Sequence, residues 1–469
     1  MALKPYQEPR KKISRAERIR NRCIVLVVFI GICVSIGSCL SKCGENNGYA
    51  KAEREFGQVF EPKKKAVDTS AEQDRASSET ANTPEKNNAK QIAEQKQSEK
   101  QDRLDEIKNT QAEVTAVVTP ENAPVPEVID STHIKNQKDV YMAEKIDNLL
   151  RRFKPENSII LMVDAKSNEI IAWGERKDNV IQSKPDYFIR TTFPAASLAK
   201  TITIAAAMDN NRYALNSTIP LIGHAHHLYK NQLRVPANYH GPTVEMQDAY
   251  AHSYNPPLAL IGMDVGAKKL KDAARKLGYN MNFAGGLPGR STFAPPDTGY
   301  ALAEASCGFT DATTLSPLQA AAQVRAILMK KPLEIPWASN LKGYAPTSRI
   351  AQDVGTFKDN TYYGLRQAMI RSVTHGTARK NISTKHMARK NYEALTIGGK
   401  TGSLDGKDPK GRYDWFMGFA QSKEDPNKAI ILVVLQIYDN QGLRPQPTTQ
   451  VAGMLINYWA HQYVTNKKK

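Results

Sequence analysis

Cysteine and aromatic residues are scarce in long parts of these 469 residues, and each shortage excludes something. Of five cysteines, Cys23, Cys33, Cys39 and Cys43 lie in or beside one apolar stretch and Cys307 stands alone, so disulfides do not hold a fold together. No CxxC pair is matched by a second pair or by histidines at ligand spacing, which leaves no structural zinc site. No aromatic residue occurs between Phe60 and Tyr141. A segment that polar cannot bury enough apolar surface to offset chain entropy, so three packed domains are excluded and one folded domain of about 330 residues is expected. Acidic charge is short at both ends: residues 1–44 carry nine Lys and Arg against two acidic residues, and 136–469 carry 43 against 27. Between them, residues 45–135 are acidic, with thirteen basic against eighteen acidic residues.

Cys23 to Ser41 is an apolar run of nineteen residues without a charge, long enough as a helix to cross a bilayer core of roughly 30 Å. Eight Lys and Arg precede it against Glu8 and Glu17, and the positive-inside rule keeps such a tail cytoplasmic. Everything after residue 42 is therefore expected on the outer side of a bacterial cytoplasmic (inner) membrane, in the periplasm. Ile36-Gly37-Ser38-Cys39 resembles a lipobox, so lipoprotein processing is an alternative with the same topology. The expected organisation is a basic cytoplasmic tail (1–22), a transmembrane anchor (23–41), a low-complexity linker (42–137) and a folded domain (138–469). The linker is rich in Lys, Glu, Gln and Asn, lacks coiled-coil periodicity, and reads as a tether.

Within the folded part, an amphipathic pattern runs from Tyr141 to Phe153, and strand patterns at 158–164 and 169–174 flank the turn composition AKSN. Three more strand patterns follow at 394–403, 414–420 and 428–438, while 195–390 reads mostly as helices and loops and 447–464 as a closing helix. Short connections imply antiparallel pairing. The expected fold class is α+β: an antiparallel five-stranded sheet flanked by helices, with strands from both ends meeting around a large, mostly helical insert.

Three short motifs carry chemistry. Ser197-Leu-Ala-Lys200 opens an apolar helical run, and residues three apart share a helix face, so the lysine amine can reach the serine hydroxyl and act as its base. Ser253-Tyr254-Asn255 is halted by Pro256 and Pro257 as a loop would be, offering a hydroxyl that relays a proton and an amide that holds a carbonyl. Lys400-Thr401-Gly402-Ser403 closes a strand, pairing a cation with a glycine at which backbone can approach a ligand. A second S-x-x-K, Ser339 to Lys342, is followed by Gly343 and reads as a surface loop.

The ordered set S-x-x-K, S-x-N, K-T-G-[ST] resembles that of penicillin-binding proteins and serine β-lactamases. The hairpin MVDAKSNEIIAWG and the stretches 313–327, VTHGTA (373–378) and YDWFMGFA (413–420) are also similar to penicillin-binding transpeptidases, so the resemblance covers roughly residues 140–465. It implies a β-lactamase/transpeptidase-like fold in which Ser197 attacks the penultimate D-Ala carbonyl of a peptidoglycan stem peptide with Lys200 as base. Ser253 would relay the proton toward the leaving D-Ala, and Asn255 would hold the substrate amide. Lys400, Thr401 and Ser403 would bind the terminal carboxylate beside Gly402, and the Ser197 and Ser403 N–H groups would form the oxyanion hole. The function implied is a D,D-transpeptidase inhibited by penicillin, using no cofactor and no metal. Implied partners are stem peptides, β-lactams, a separate glycan polymerase and elongation or division proteins, with no nucleic acid. D,D-carboxypeptidase action is the alternative. A β-lactamase is disfavoured because no Glu-x-x-Asn loop stands between Ser253 and Lys400. A non-catalytic penicillin sensor or scaffold is disfavoured by a tail of 22 residues. The residues Gly223-His-Ala-His-His227 lack carboxylate or cysteine partners and read as a polar loop, and Cys307 as a small core residue.

Overall fold

The computed structural model describes residues 132–282, 289–339, 354–439 and 446–466, all within one compact unit, Pro124–Lys469. The expected anchor at 23–41 and most of the linker lie outside the described residues; among those described, no helix is long and apolar enough to cross a membrane.

Helix α1 (Val140–Phe153) begins where the Asp139 carboxylate accepts the Met142 N–H at 3.0 Å. It buries Met142, Ile146, Leu149 and Leu150, one face at helical spacing. Strands β1 (Asn157–Asp164) and β2 (Ile170–Lys177) form the expected first hairpin. The sheet has six strands rather than five. The added strand, β3 (Val180–Ile181), turns back onto β2 through Asp178 and Asn179, both at positive φ, as a two-residue hairpin turn requires. Two residues are too few to show an alternation, which is why the pattern was not visible in the sequence.

After the insert come β6 (Leu395–Lys407), β7 (Lys410–Ser422) and β8 (Ala429–Tyr438), where the three late strand patterns fall; the short β4 (Thr218–Pro220) and β5 (Thr243–Glu245) pair apart from the main sheet. The sheet order is β3-β2-β1-β8-β7-β6, every pairing antiparallel, and β1 beside β8 joins the first strand to the last. Side chains alternate between two cores. Ile159, Leu161 and Val163 of β1 face the helical insert with Val433 and Leu435 of β8, whereas Ile160, Met162, Leu432 and Val434 face α1 and the C-terminal helix. Both faces are covered, so these strands read as unbroken apolar runs.

In the insert, α2 (Lys200–Asp209) is buried at every residue from Lys200 to Met208, as a helix at the centre of a core must be. Around it stand α3 (Met246–Ala251), α4 (Asn255–Val265), α5 (Ala267–Lys276), α6 (Tyr300–Cys307), α7 (Pro317–Met329) and α8 (Asp359–Thr374); α9 (Thr448–Ala460) closes the opposite face of the sheet.

One buried carboxylate gives this scaffold a pH dependence. Glu175 of β2 is wholly buried and accepts the backbone N–H groups of Asp186, Tyr187 and Phe188. Burial pushes its carboxyl from 4.5 up to about 7, while the three N–H groups pull the other way. The folded chain therefore keeps a proton that the unfolded chain releases near pH 4.5. The Glu175 contribution to stability is full below that pH and is lost as pH rises through about 7, about 3 kcal/mol in all. Glu175→Gln should flatten this fall, and thermal melts of the two proteins at pH 5 and 7.5 check it; parallel shifts would count against it.

Candidate active site

The segment before Ser197 is braced at several points. The Pro194 carbonyl accepts the Trp415 indole N–H at 3.0 Å, the Ala195 N–H donates to the Thr313 carbonyl at 2.8 Å, and Phe193 packs edge-on against Trp415. Ala196 is held at φ 49°, a left-handed conformation that costs a non-glycine residue about a kcal/mol or more. Gly308 makes this possible: a Cβ there would stand 2.0 Å from the Ala196 carbonyl oxygen.

Ser197 lies in a 3₁₀ turn, Ala196–Ala199, that runs directly into α2. The tighter turn has three residues per revolution and stacks i over i+3 more directly than an α-helix does. Lys200, the first residue of α2, thus places its Nζ 2.8 Å from Ser197 Oγ. The same Nζ donates to Asn255 Oδ1 at 2.7 Å and to the Cys307 carbonyl at 2.6 Å. Burial lowers the Lys200 ammonium to about 8. Its three contacts serve both protonation states. The ammonium donates to all three oxygens; the neutral amine keeps its two N–H groups on Asn255 and Cys307 and turns its lone pair toward the Ser197 hydroxyl.

Ser253 and Asn255 sit where α3 gives way to α4. Lys400, wholly buried in β6, donates to Ser253 Oγ at 3.0 Å and to the Thr401 carbonyl at 2.7 Å, with its Nζ 5.4 Å from the Tyr250 ring centre. Burial, and then the charge of Lys200, hold the Lys400 ammonium well below the usual lysine range. Thr401 Oγ1 shares a 2.6 Å hydrogen bond with Thr377 Oγ1. At Gly402 a Cβ would come within 3.3 Å of Ala196 Cβ, Leu198 Cγ and the Ser197 nitrogen, so a glycine lets β6 lie against the Ser197 backbone. Ser403 Oγ accepts the Arg412 Nε–H at 2.7 Å.

All three motifs therefore converge. Ser197, Ser253, Asn255, Thr401, Gly402 and Ser403 line one cleft of about 680 Å³, with Lys200 and Lys400 buried directly behind Ser197 and Ser253. Ser339 is elsewhere, its hydroxyl donating to Glu169 Oε1 at 2.8 Å; Lys342 lies outside the described residues. The cleft also holds residues that motif reading did not assign: His226, Phe309, Thr377, Lys380, His386 and Arg412. Thr377 lies in the VTHGTA stretch and His226 in the histidine loop, so signals existed for both; Arg412 had none. Cys307 is buried as expected, yet its carbonyl is one of the three oxygens around Lys200. Among the described residues no group of three or more His, Cys, Asp or Glu could hold a metal.

The fold is that of penicillin-binding transpeptidase domains. The transpeptidase domain of Burkholderia pseudomallei penicillin-binding protein 3 superposes with a TM-score of 0.51 at 17% identity, over 72% of this chain and 96% of that one. A peptidoglycan glycosyltransferase structure from Burkholderia ambifaria gives 0.50 at 18% identity, over 70% and 94%. The chain belongs to the penicillin binding protein transpeptidase domain family, whose model matches residues 158–449. It is 26% identical over 276 residues to the peptidoglycan D,D-transpeptidase PbpA of Mycolicibacterium smegmatis, covering 56% of this chain and 54% of that protein. It is 24% identical over 345 residues to the stage V sporulation protein D of Bacillus subtilis, covering 68% and 50%. The chain thus spans about half the length of the curated relatives it matches.

Proposed function

We propose that the chain is a serine-type peptidoglycan D,D-transpeptidase that cross-links stem peptides through an acyl-enzyme on Ser197 and is inhibited by penicillin. The observation that carries this reading is the Lys200 amine, 2.8 Å from Ser197 Oγ and lowered by burial to about 8, with no carboxylate bonded to it among the described residues. Family membership and the PbpA relatives support it.

Ser197 Oγ attacks the penultimate D-Ala carbonyl as Lys200 Nζ takes its proton, and the oxyanion that forms is met by the Ser197 and Ser403 N–H groups. As the peptide C–N bond breaks, the proton passes from Lys200 through Ser253 Oγ to the leaving D-Ala amine. An amine from a second stem peptide then attacks the ester, and its proton returns to Ser197 Oγ. Asn255 holds the substrate amide, and Lys400, Thr401 and Ser403 take the terminal carboxylate. A penicillin acylates Ser197 in the same way.

The organisation that goes with this function is a tail at 1–22, an anchor at 23–41, a tether at 42–137 and the catalytic domain at 138–469. That domain stands outside a bacterial cytoplasmic membrane, alongside a glycan polymerase and elongation or division proteins. The test supplies the chain with a stem pentapeptide ending in D-Ala-D-Ala and an acceptor peptide bearing a free amine, and follows products by mass. Cross-linked dimer together with released D-Ala is expected. D-Ala released without any dimer, across a range of acceptor concentrations, would replace this reading with D,D-carboxypeptidase action.

A further inference from the structure

We infer that Phe309 is a specificity-determining residue: its ring is the apolar surface against which the ligand packs on the acyl side of the scissile bond. That part is the acyl side chain of a penicillin, or an apolar side chain ahead of D-Ala-D-Ala in a stem peptide. The inference rests on the roles proposed for Ser197 and Asn255.

The ring is uncommitted within the protein. Among the described residues, Phe309 is the only exposed large apolar side chain that lines the cleft; at 39% exposure it belongs to neither core. Leu404 of β6 lines the same cleft but packs against the core that faces the insert. A phenyl ring left in water forfeits the gain of burial, and a ligand that covers it recovers that gain. On an open surface a single exposed apolar side chain needs no account, but in a cleft beside a nucleophile it is a ready-made contact.

The backbone under the ring, by contrast, is fixed. Helix α6 runs into Gly308, left-handed at φ 68°, whose N–H donates to the Ala305 carbonyl at 3.2 Å while the Phe309 N–H donates to the Glu304 carbonyl at 2.8 Å. The same Gly308 lies against the Ala196 carbonyl, one residue before Ser197. Further on, the Thr313 carbonyl accepts the Ala195 N–H, and between them Asp311 pairs at 2.8 Å with Lys407, the last residue of β6. The ring therefore sits on a short loop tied at both ends to the backbone that holds the nucleophile.

Lys200 shows which side of the cleft this is. Its amine bonds both Asn255 Oδ1 and the Cys307 carbonyl, so Phe309, just past Cys307 and Gly308, belongs to the Asn255 side of Ser197. Lys400, Thr401 and Ser403, which take the terminal carboxylate in the proposed reaction, stand on β6. The ring thus meets what extends from the amide held by Asn255, and not the D-Ala that leaves.

Benzylpenicillin and its acetyl analogue share the nucleus and the amide and differ by one phenyl ring. With the full chain, the second-order acylation rate constant should favour benzylpenicillin by about tenfold or more, and Phe309→Ala should bring the two ligands within about twofold by slowing benzylpenicillin alone. Phe309→Leu, which keeps an apolar side chain, should retain part of the preference. A wild type that does not distinguish the two ligands would overturn the inference. So would a preference that survives Phe309→Ala, or an equal loss with both ligands, which marks a disturbed loop and not a lost contact. Dissociation constants from ligand-observed NMR titration in the Ser197→Ala background, with and without Phe309→Ala, repeat the comparison where no bond forms. There the loss of about tenfold should again fall on benzylpenicillin alone. If no penicillin acylates the wild type, the acyl-enzyme reading fails while these constants still decide the role of Phe309; equal constants overturn that role and leave the nucleophile untouched.

Discussion

A fluorescent penicillin is expected to label the wild-type chain covalently, to label Ser339→Ala equally, and to leave no label on Ser197→Ala. An alcohol at neutral pH is a poor nucleophile unless a base stands within hydrogen-bond reach, and Ser197 has one at 2.8 Å. The alanine variant keeps the buried lysines, the glycine contacts and the cleft wall, so it should fold and still bind the drug without a bond. Ser339 has the same local motif but spends its hydroxyl on Glu169. The measurement is label retained after denaturation, read beside a thermal melt to show that each variant is folded. Persisting label on folded Ser197→Ala would sink the assignment of the nucleophile. Label that survives for many minutes on the wild type separates a transpeptidase from a β-lactamase, which would release it.

Lys200→Met should lower the acylation rate constant by about a hundredfold to ten-thousandfold, the usual range for loss of a general base. The variant still folds around a long apolar side chain, though the Asn255 and Cys307 oxygens lose their donor. The pH profile carries more information than the size of the loss. In the proposed mechanism Lys200 acts when neutral, and burial lowers its ammonium to about 8, so the wild-type rate should climb roughly tenfold per pH unit below that value and level off above it. Lys200→Met should show no such limb. Lys200→Arg should be as slow as Met, because a guanidinium does not give up its proton in this range. Stopped-flow acylation from pH 6 to 9.5 checks both; an Arg variant that acylates at the wild-type rate would mean that the residue serves only as a positive charge.

The strands β1, β2, β6, β7 and β8 were readable in the sequence because buried strands are largely apolar and the turns between them polar. The eight candidate residues were readable because bond-making needs particular side chains: a hydroxyl, an amine, an amide, and a glycine where backbones touch. What escaped notice follows from the same physics. Lys200 is held by the Cys307 carbonyl, and Asn255 by the carbonyls of Ala225 and His226. Every residue type offers a carbonyl, so such partners leave no trace in composition or spacing. The strand at Val180–Ile181 was missed for a different reason, since a pair of residues is shorter than the period that reveals a strand. Arg412 was missed because only the register of β6 against β7 brings it to Ser403.

The pairing of β1 with β8 sets a condition on how the domain comes into being. The ribosome releases Asn157–Asp164 more than 250 residues before Ala429–Tyr438, and until the later strand arrives the earlier one has an unpaired edge. The cleft cannot be finished piecemeal, because Lys400 is carried by a strand three places from β1 in the same sheet, with β8 and β7 between them. Contacts so distant in sequence are slow to form and leave apolar edges exposed meanwhile. A chain stopped by a premature codon even forty residues early would lack β8 and the helix after it. It would emerge with all eight candidate side chains translated but without the strand that joins β1 to the part of the sheet carrying Lys400.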